Sequence, residues 1–332
     1  MFRWASLFAD YRPIEIYYPG ARSAAMGGTG TASIDSIETL GMNPAYVAEI
    51  NETRASIGID AMTRITRIKS EQAILLKPQF IPFLNVAFPI YPNSGAGISI
   101  HSPIQRRFPD QNFIFYVMEA MFGYTITRNI SVGASAGAGL GVEAERYDGW
   151  GFSGSFSLLY RRPHYSAGIF YRLPTSLYYS EFPTSPDLQE TMPDIFRAGI
   201  ARHWKFVTIT LDLEYVNWER VTFTQYGQNK TPPFASGFFG RVNPHLGAEF
   251  PIVWWPGLRF RTGFFTSDFF SFNGSNDRQI LWSLGFGGLA GNVLWGDRLR
   301  IDFSLISSFI PSLFWKENNA VEKLQVSFEF LY

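Results

Sequence analysis

The sequence contains no cysteine, which excludes a disulfide framework and any thiolate metal site. It carries no excess charge of either sign: 28 Lys and Arg offset 28 Asp and Glu. A nucleic-acid partner, which needs a basic face, is therefore not expected. Its four histidines, His101, His164, His203 and His245, lack metal-ligand spacing. Phosphate-cradling loops are missing as well. Gly27, Gly28 and Gly30 cluster, but no apolar strand precedes them and no phosphate-binding Lys follows. The Gly133–Gly137 segment matches a nucleophile elbow around Ser135, but it lies inside an alternating run rather than at a strand-to-helix turn. Neither a cofactor nor an enzymatic activity is expected.

No helical membrane span is present either. The uncharged run Gln279 to Gly296 approaches the required length of about 20 residues, yet contains five glycines and makes a poor helix. Met1 to Asp10 shows no sustained apolar core, so no signal peptide is legible.

What the chain does have is period-two alternation. In the last ten residues, Leu324, Val326, Phe328, Phe330 and Tyr332 share one face of an extended strand, and Lys323, Gln325, Ser327 and Glu329 the other. Val207 to Tyr215 and Arg298 to Leu305 repeat the pattern. Fourteen strands are predicted: 54–63, 79–90, 94–103, 112–127, 129–144, 149–161, 164–173, 194–203, 205–216, 240–251, 257–266, 279–288, 297–308 and 323–332. Most approach the 9–11 residues, roughly, of a tilted membrane strand. Long connections (64–78, 104–111, 174–193, 217–239, 267–278, 309–322) largely alternate with short ones, as a barrel with one looped rim requires. Trp150, Trp204, Trp218, Trp254, Trp255 and Trp295 fall near strand ends, where interfacial girdles would lie. A soluble β-sandwich or propeller is the competing architecture, but no blade repeat is visible.

Residues 1–50 differ: they are rich in glycine and small residues and show no alternation. Arg22, Met26, Gly27, Asp35 and the triplet Asn43, Pro44, Ala45 precede the first strand. This arrangement resembles the N-terminal region of the FadL-like outer-membrane family, which includes hydrocarbon and long-chain fatty-acid transporters and the PorV and PorQ proteins of type IX secretion. The runs Leu211–Trp218, Gly247–Glu249 and Leu258–Gly263 resemble later strands of that family, and the aromatic C-terminus resembles the closing strand of an outer-membrane barrel.

The resemblance implies an all-β fold: a single 14-stranded antiparallel transmembrane β-barrel (51–332) in a bacterial outer membrane, with residues 1–50 as a lumenal hatch. Physical chemistry suits that composition. Glycine permits close backbone approach, Pro44 fixes one φ and Asn43 can cap a turn. Arg22 and Asp35 are expected to pair with lumen-facing charges drawn from Asp212, Glu214, Glu249, Arg259, Arg261, Arg300, Asp302 and Glu329. Phe328, Phe330 and Tyr332 would be the assembly signal read by the barrel-assembly machinery.

The implied function is passive uptake of a hydrophobic small molecule such as a long-chain fatty acid. Phe234, Phe238, Phe239, Phe269, Phe270, Phe309 and Phe314 would supply capture surface, and the ligand would leave sideways into the lipid bilayer. The alternative, from the PorV and PorQ branch, is a barrel serving protein secretion or surface attachment, with secretion-system proteins as partners.

Overall fold

The computed structural model describes residues 14–16, 20–32, 35–67, 73–74, 79–107, 112–143, 147–179, 188–225, 228–230, 240–255, 257–270, 276–294, 297–308 and 319–332. Fourteen antiparallel strands close into a barrel. They are β1 (Arg54–Arg67), β2 (Gln79–Tyr91), β3 (Ser94–Arg107), β4 (Asn112–Thr127), β5 (Ile130–Glu143) and β6 (Tyr147–Arg162). Next come β7 (Tyr165–Arg172, resumed at Thr175–Tyr179), β8 (Leu188–Met192, resumed at Ile195–His203) and β9 (Thr208–Val216, resumed at Thr222–Gln225). The wall ends with β10 (Arg241–Pro251), β11 (Leu258–Phe270), β12 (Asn276–Leu294), β13 (Asp297–Ser307) and β14 (Asn319–Leu331). Each strand pairs with its chain neighbour, and β14 returns to β1 with Ile57 opposite Phe328. The Tyr332 N–H donates to the Thr53 carbonyl at 2.9 Å, tying the chain end to the start of β1.

All fourteen predicted strands are found, and their alternation decides their sides. Along β1, Ser56, Gly58 and Asp60 are buried while Ile57 and Ile59 stand exposed. Along β14, Gln325, Ser327 and Glu329 point inward and Leu324 and Phe328 outward. A polar interior under an apolar exterior inverts the rule for a protein surrounded by water and suits one surrounded by lipid. Trp150, Trp204, Trp254 and Trp255 are exposed near strand ends as expected. Trp218 is not. It sits in a three-residue 3-10 turn within β9, in step with the buried Asp212, Glu214 and Val216, and is buried; because the strand resumes at Thr222, it is not at a strand end. Trp295 lies outside the described residues.

Two further expectations are corrected. The first fifty residues do contain a strand, Ile14–Ile16, which pairs with residues 104–106 at the long-loop end of β3. And β12 runs to Leu294, not 288, which shortens the connection to β13 to two residues and places it with the tight turns. The extra residues are accommodated by register shifts between Leu289 and Leu294, an irregularity that alternation alone does not reveal.

β7, β8 and β9 are interrupted at one level of the wall. Arg172 pairs with Ile195 and Thr175 with Met192, leaving 173–174 opposite 193–194 without ladder bonds. Pro174 and Pro193 sit in that gap, and neither can donate to a ladder.

Candidate functional site

Residues 20–50 lie inside the barrel. They form a short helix, α1 (Ala21–Ala25), and two 3-10 segments, Ile37–Met42 and Pro44–Glu49. Asn43 joins the two 3-10 segments: its side-chain carbonyl accepts from Ala45 N–H at 3.1 Å, and its amide donates to the Thr31 carbonyl. Pro44 occupies the first position of the second segment, where a missing N–H costs nothing. The Ala45 N–H also donates to Ser157 Oγ of β6 at 2.7 Å.

Arg22 is the main ionic anchor. Its guanidinium donates to Glu249 of β10 through Nε at 3.1 Å and Nη2 at 3.2 Å, and to Asp35 at 2.9 Å. Glu249 also accepts from Arg261 of β11 at 2.6 Å, and Arg261 reaches on to Asp302 of β13. Arg300 bonds the Asp35 carbonyl and Glu329. Glu329 in turn receives Ser36 Oγ at 2.9 Å and Ile37 N–H at 3.4 Å. Asp212 of β9 accepts the Gly30 and Thr31 N–H groups, both at 2.9 Å. Buried backbone donors thus find Asp212 and Glu329, and the carboxylates of Glu249, Asp302 and Glu329 find arginines, which is the condition for burying them.

Met26 and Gly27 press against the wall. Gly27 adopts a φ of 69°, where a side chain would be strained. Its N–H donates to Ser283 Oγ at 3.0 Å and its carbonyl accepts from His245 Nδ1 at 2.7 Å. The wall makes room with glycine. A Cβ on Gly263 would fall 2.2 Å from Gly27 N, and one on Gly168 would fall 2.0 Å from the Thr31 carbonyl oxygen.

Above this segment, toward the long loops, the lumen is layered. A polar belt comes first: Glu119, which accepts from Ser135 and Ser153; Arg172, which reaches Gly41 O and His101 Nε2, both at 3.1 Å; and the ion pair of Arg197 with Glu214. Ser135 is therefore a mid-strand member of this belt, not part of an elbow. Nearer the long loops, Phe115 lies four residues from Glu119, Leu177 five from Arg172 and Trp218 four from Glu214, and these three are buried, as are Phe83 of β2, Phe265 of β11 and Leu281 of β12.

No protein-family model matches the sequence, and no curated protein does. Solved structures do match. The monoaromatic hydrocarbon channel CymD shares 16% identity at a TM-score of 0.66, over 94% of this chain and 97% of that one. The Ralstonia pickettii toluene transporter TbuX gives the same 16%, 0.66, 94% and 97%. A Pseudomonas aeruginosa FadL homologue shares 10% identity at a TM-score of 0.67, over 96% of this chain and 99% of that one. The protein has a FadL-like fold.

Within this FadL-like barrel, Arg22, Asp35, Glu249, Arg261, Arg300, Asp302 and Glu329 come together as one network, and Asp212 binds the backbone nearby. Glu214 instead belongs to the belt above, with His245 3.8 Å away. Arg259 is half-buried near the start of β11 and, among the described residues, takes no part in the network. Phe328 and Tyr332 are exposed, and Phe330 stacks on Tyr332 with ring centroids 6.5 Å apart. Of the expected capture residues, Phe234, Phe238, Phe239, Phe309 and Phe314 lie outside the described residues, and only the backbone of Phe269 and Phe270 is described.

Sequence reasoning missed Glu38, Glu119, Arg172, Arg197 and His245. All but Glu38 lie on inward faces that alternation could have marked. Glu38 is in a 3-10 segment with no such pattern. It is fully buried, accepting the Arg22 N–H at 3.1 Å and Ser327 Oγ–H. Burial, and the nearby charges of Asp302 and Glu329, push its carboxyl up to about 8. A folded value above the unfolded one means the native state holds a proton that the unfolded state has released. Stability from this group is thus full below the ordinary carboxyl range and is lost as pH rises from about 4.5 to about 8. Hydrogen exchange at 36–47 is expected to speed up over that window, and Glu38→Gln to flatten the dependence. An identical profile in the variant would refute the assignment.

Proposed function

We propose that the protein carries small hydrophobic molecules across an outer membrane, with residues 20–50 acting as a hatch beneath an apolar vestibule. The observation that carries this reading is the layering of the lumen. Buried aromatic and aliphatic side chains line the looped end, a polar belt follows, and the ion-paired hatch closes the other end. Apolar ligands partition into a lining of that kind, while the belt and hatch stop water and ions from following.

A fatty acid suits the site better than a bare hydrocarbon. Arg172 sits in the belt below the vestibule, buried; its Nη2 lies 3.6 Å from Glu119, and its Nη1 has no hydrogen-bond partner among the described residues. An unsatisfied buried cationic donor is costly, and a ligand carboxylate would supply the missing acceptor while its chain occupies the apolar layer above. The interruption across β7–β9 gives the chain a way out. Leu177, Met192, Ile195, Val216 and Trp218 are buried around it, so the apolar lining extends to the wall itself.

Uptake into vesicles carrying the protein tests this. A long-chain fatty acid is expected to enter faster than into empty vesicles, and Arg172→Gln to slow it about tenfold or more, the effect of one charge-assisted hydrogen bond. Toluene entry should change little in that variant. Because the chain lacks cysteine, a cysteine pair at 173 and 194 forms a unique lock, expected to stop uptake until reduced. Equal entry with and without protein would sink the proposal, and equal loss of both ligands in Arg172→Gln would remove the fatty-acid assignment.

A further inference from the structure

The lipid-facing side of β6–β9 carries a groove that the lumen does not use. Its cavity volume is about 350 Å³. Two rows of outward residues line it. One is Leu158, Ile169, Ala198 and Leu213; the other is Tyr160, Ala167, Ile200 and Leu211. The hollow exists because two alanines stand among larger cross-strand neighbours, Tyr160 and Ile200 beside Ala167, and Ile169 and Leu213 beside Ala198.

The next outward row toward the tight turns is Arg162, Tyr165, Arg202 and Ile209. Arg162 and Arg202 are both exposed and flank Tyr165, roughly 10 Å apart at two strand spacings. Arg162 Nε donates to Tyr160 Oη at 2.9 Å and so lies over the groove mouth. Arg202 sits 5.4 Å above the Trp204 ring, and Lys205 5.4 Å from the Phe206 ring. Among the described residues, no carboxylate lies within ion-pairing distance of these three cations, whereas Arg161 beside them is paired with Glu49 at 3.0 Å.

We propose that this face is a specific site for one anionic phospholipid of the leaflet on the tight-turn side. Its phosphate sits between Arg162 and Arg202, and an acyl chain lies in the hollow over Ala167 and Ala198. The argument is charge complementarity joined to shape. Uncompensated arginines at a membrane boundary attract an anionic headgroup, and aromatic rings at the same level hold the interface. A zwitterionic lipid would satisfy the hollow but not the cations. The site rests on the barrel being embedded in a bilayer, as the proposed function requires.

The test is native mass spectrometry of the protein released from vesicles of phosphatidylethanolamine containing a minor share of phosphatidylglycerol with the same chains. One phosphatidylglycerol per chain is expected to remain when other lipids are gone. The pair Arg162→Gln with Arg202→Gln should reduce its retention about 30-fold, from about 1 kcal/mol for each basic group near an anionic surface and 1.4 kcal/mol per tenfold. Ala167→Phe with Ala198→Phe should reduce it with the charges intact, and circular dichroism should show both variants folded. Retention of the two lipids in the ratio supplied, undiminished binding by the arginine pair variant, or displacement by inorganic phosphate would each overturn the site. Flotation with the vesicles separates the two readings: protein that does not float refutes membrane embedding, and protein that floats without lipid preference refutes only the site.

Discussion

Replacing Arg22 by Leu is expected to unseat the lumenal segment and open the barrel to small hydrophilic solutes. Arg22 is almost wholly buried and holds Glu249 and Asp35 at once. Removing one partner of a buried pair costs about 3–5 kcal/mol, because the remaining charge has no water to turn to. Here the lower end applies. Glu249 keeps Arg261 at 2.6 Å, and the Asp35 side chain is 46% exposed. Even about 3 kcal/mol is a large share of the stability of a single docked segment. The wall itself should persist, since its ladder pairs do not involve Arg22. Conductance of the protein in planar bilayers, with circular dichroism for strand content, measures both halves. Wild-type conductance in the variant would mean that Arg22 is not the anchor.

The second large effect is expected at Gly263, where a single methyl group should do what a charge deletion does. A Cβ there would meet Gly27 N at 2.2 Å and Gly27 Cα at 2.6 Å. Both neighbours are backbone, so neither can swing aside. Moving Gly27 away breaks its bonds to Ser283 and His245. Two hydrogen bonds at about 0.5–1.5 kcal/mol each, with about 1–3 kcal/mol of overpacking, give a loss of a few kcal/mol for Gly263→Ala. In a variant lacking residues 20–50 the same substitution should be nearly neutral, because the atoms it strikes are gone. Protease sensitivity of the segment, compared in the two backgrounds, reads the difference. A substitution equally harmful in both would locate its damage in the barrel wall instead.

Taken by itself, the sequence determined the wall. Alternation is a local property, set by the two-residue period of an extended chain, so fourteen strands and their inward and outward faces could be read without knowing their partners. The resemblance of its N-terminal stretch to the FadL-like family also marked Arg22, Asp35 and the Asn43–Pro44–Ala45 turn. Where strands are irregular, their ends were misread: β9 resumes at Thr222 beyond a 3-10 turn, which leaves Trp218 inside the wall rather than at its rim, and β12 outran its predicted end through register shifts.

Only the tertiary structure decided which charges meet. Arg22 and Glu249 are 227 residues apart, and Glu38 and Ser327 are 289. Closing the barrel sets those neighbours through strand register, and no local pattern encodes a distance across a lumen. The same holds for Arg259 and Arg261, two residues apart on one strand with the same polar alternation. Register with the neighbouring strands puts Arg261 between Glu249 and Asp302 and leaves Arg259 outside the network.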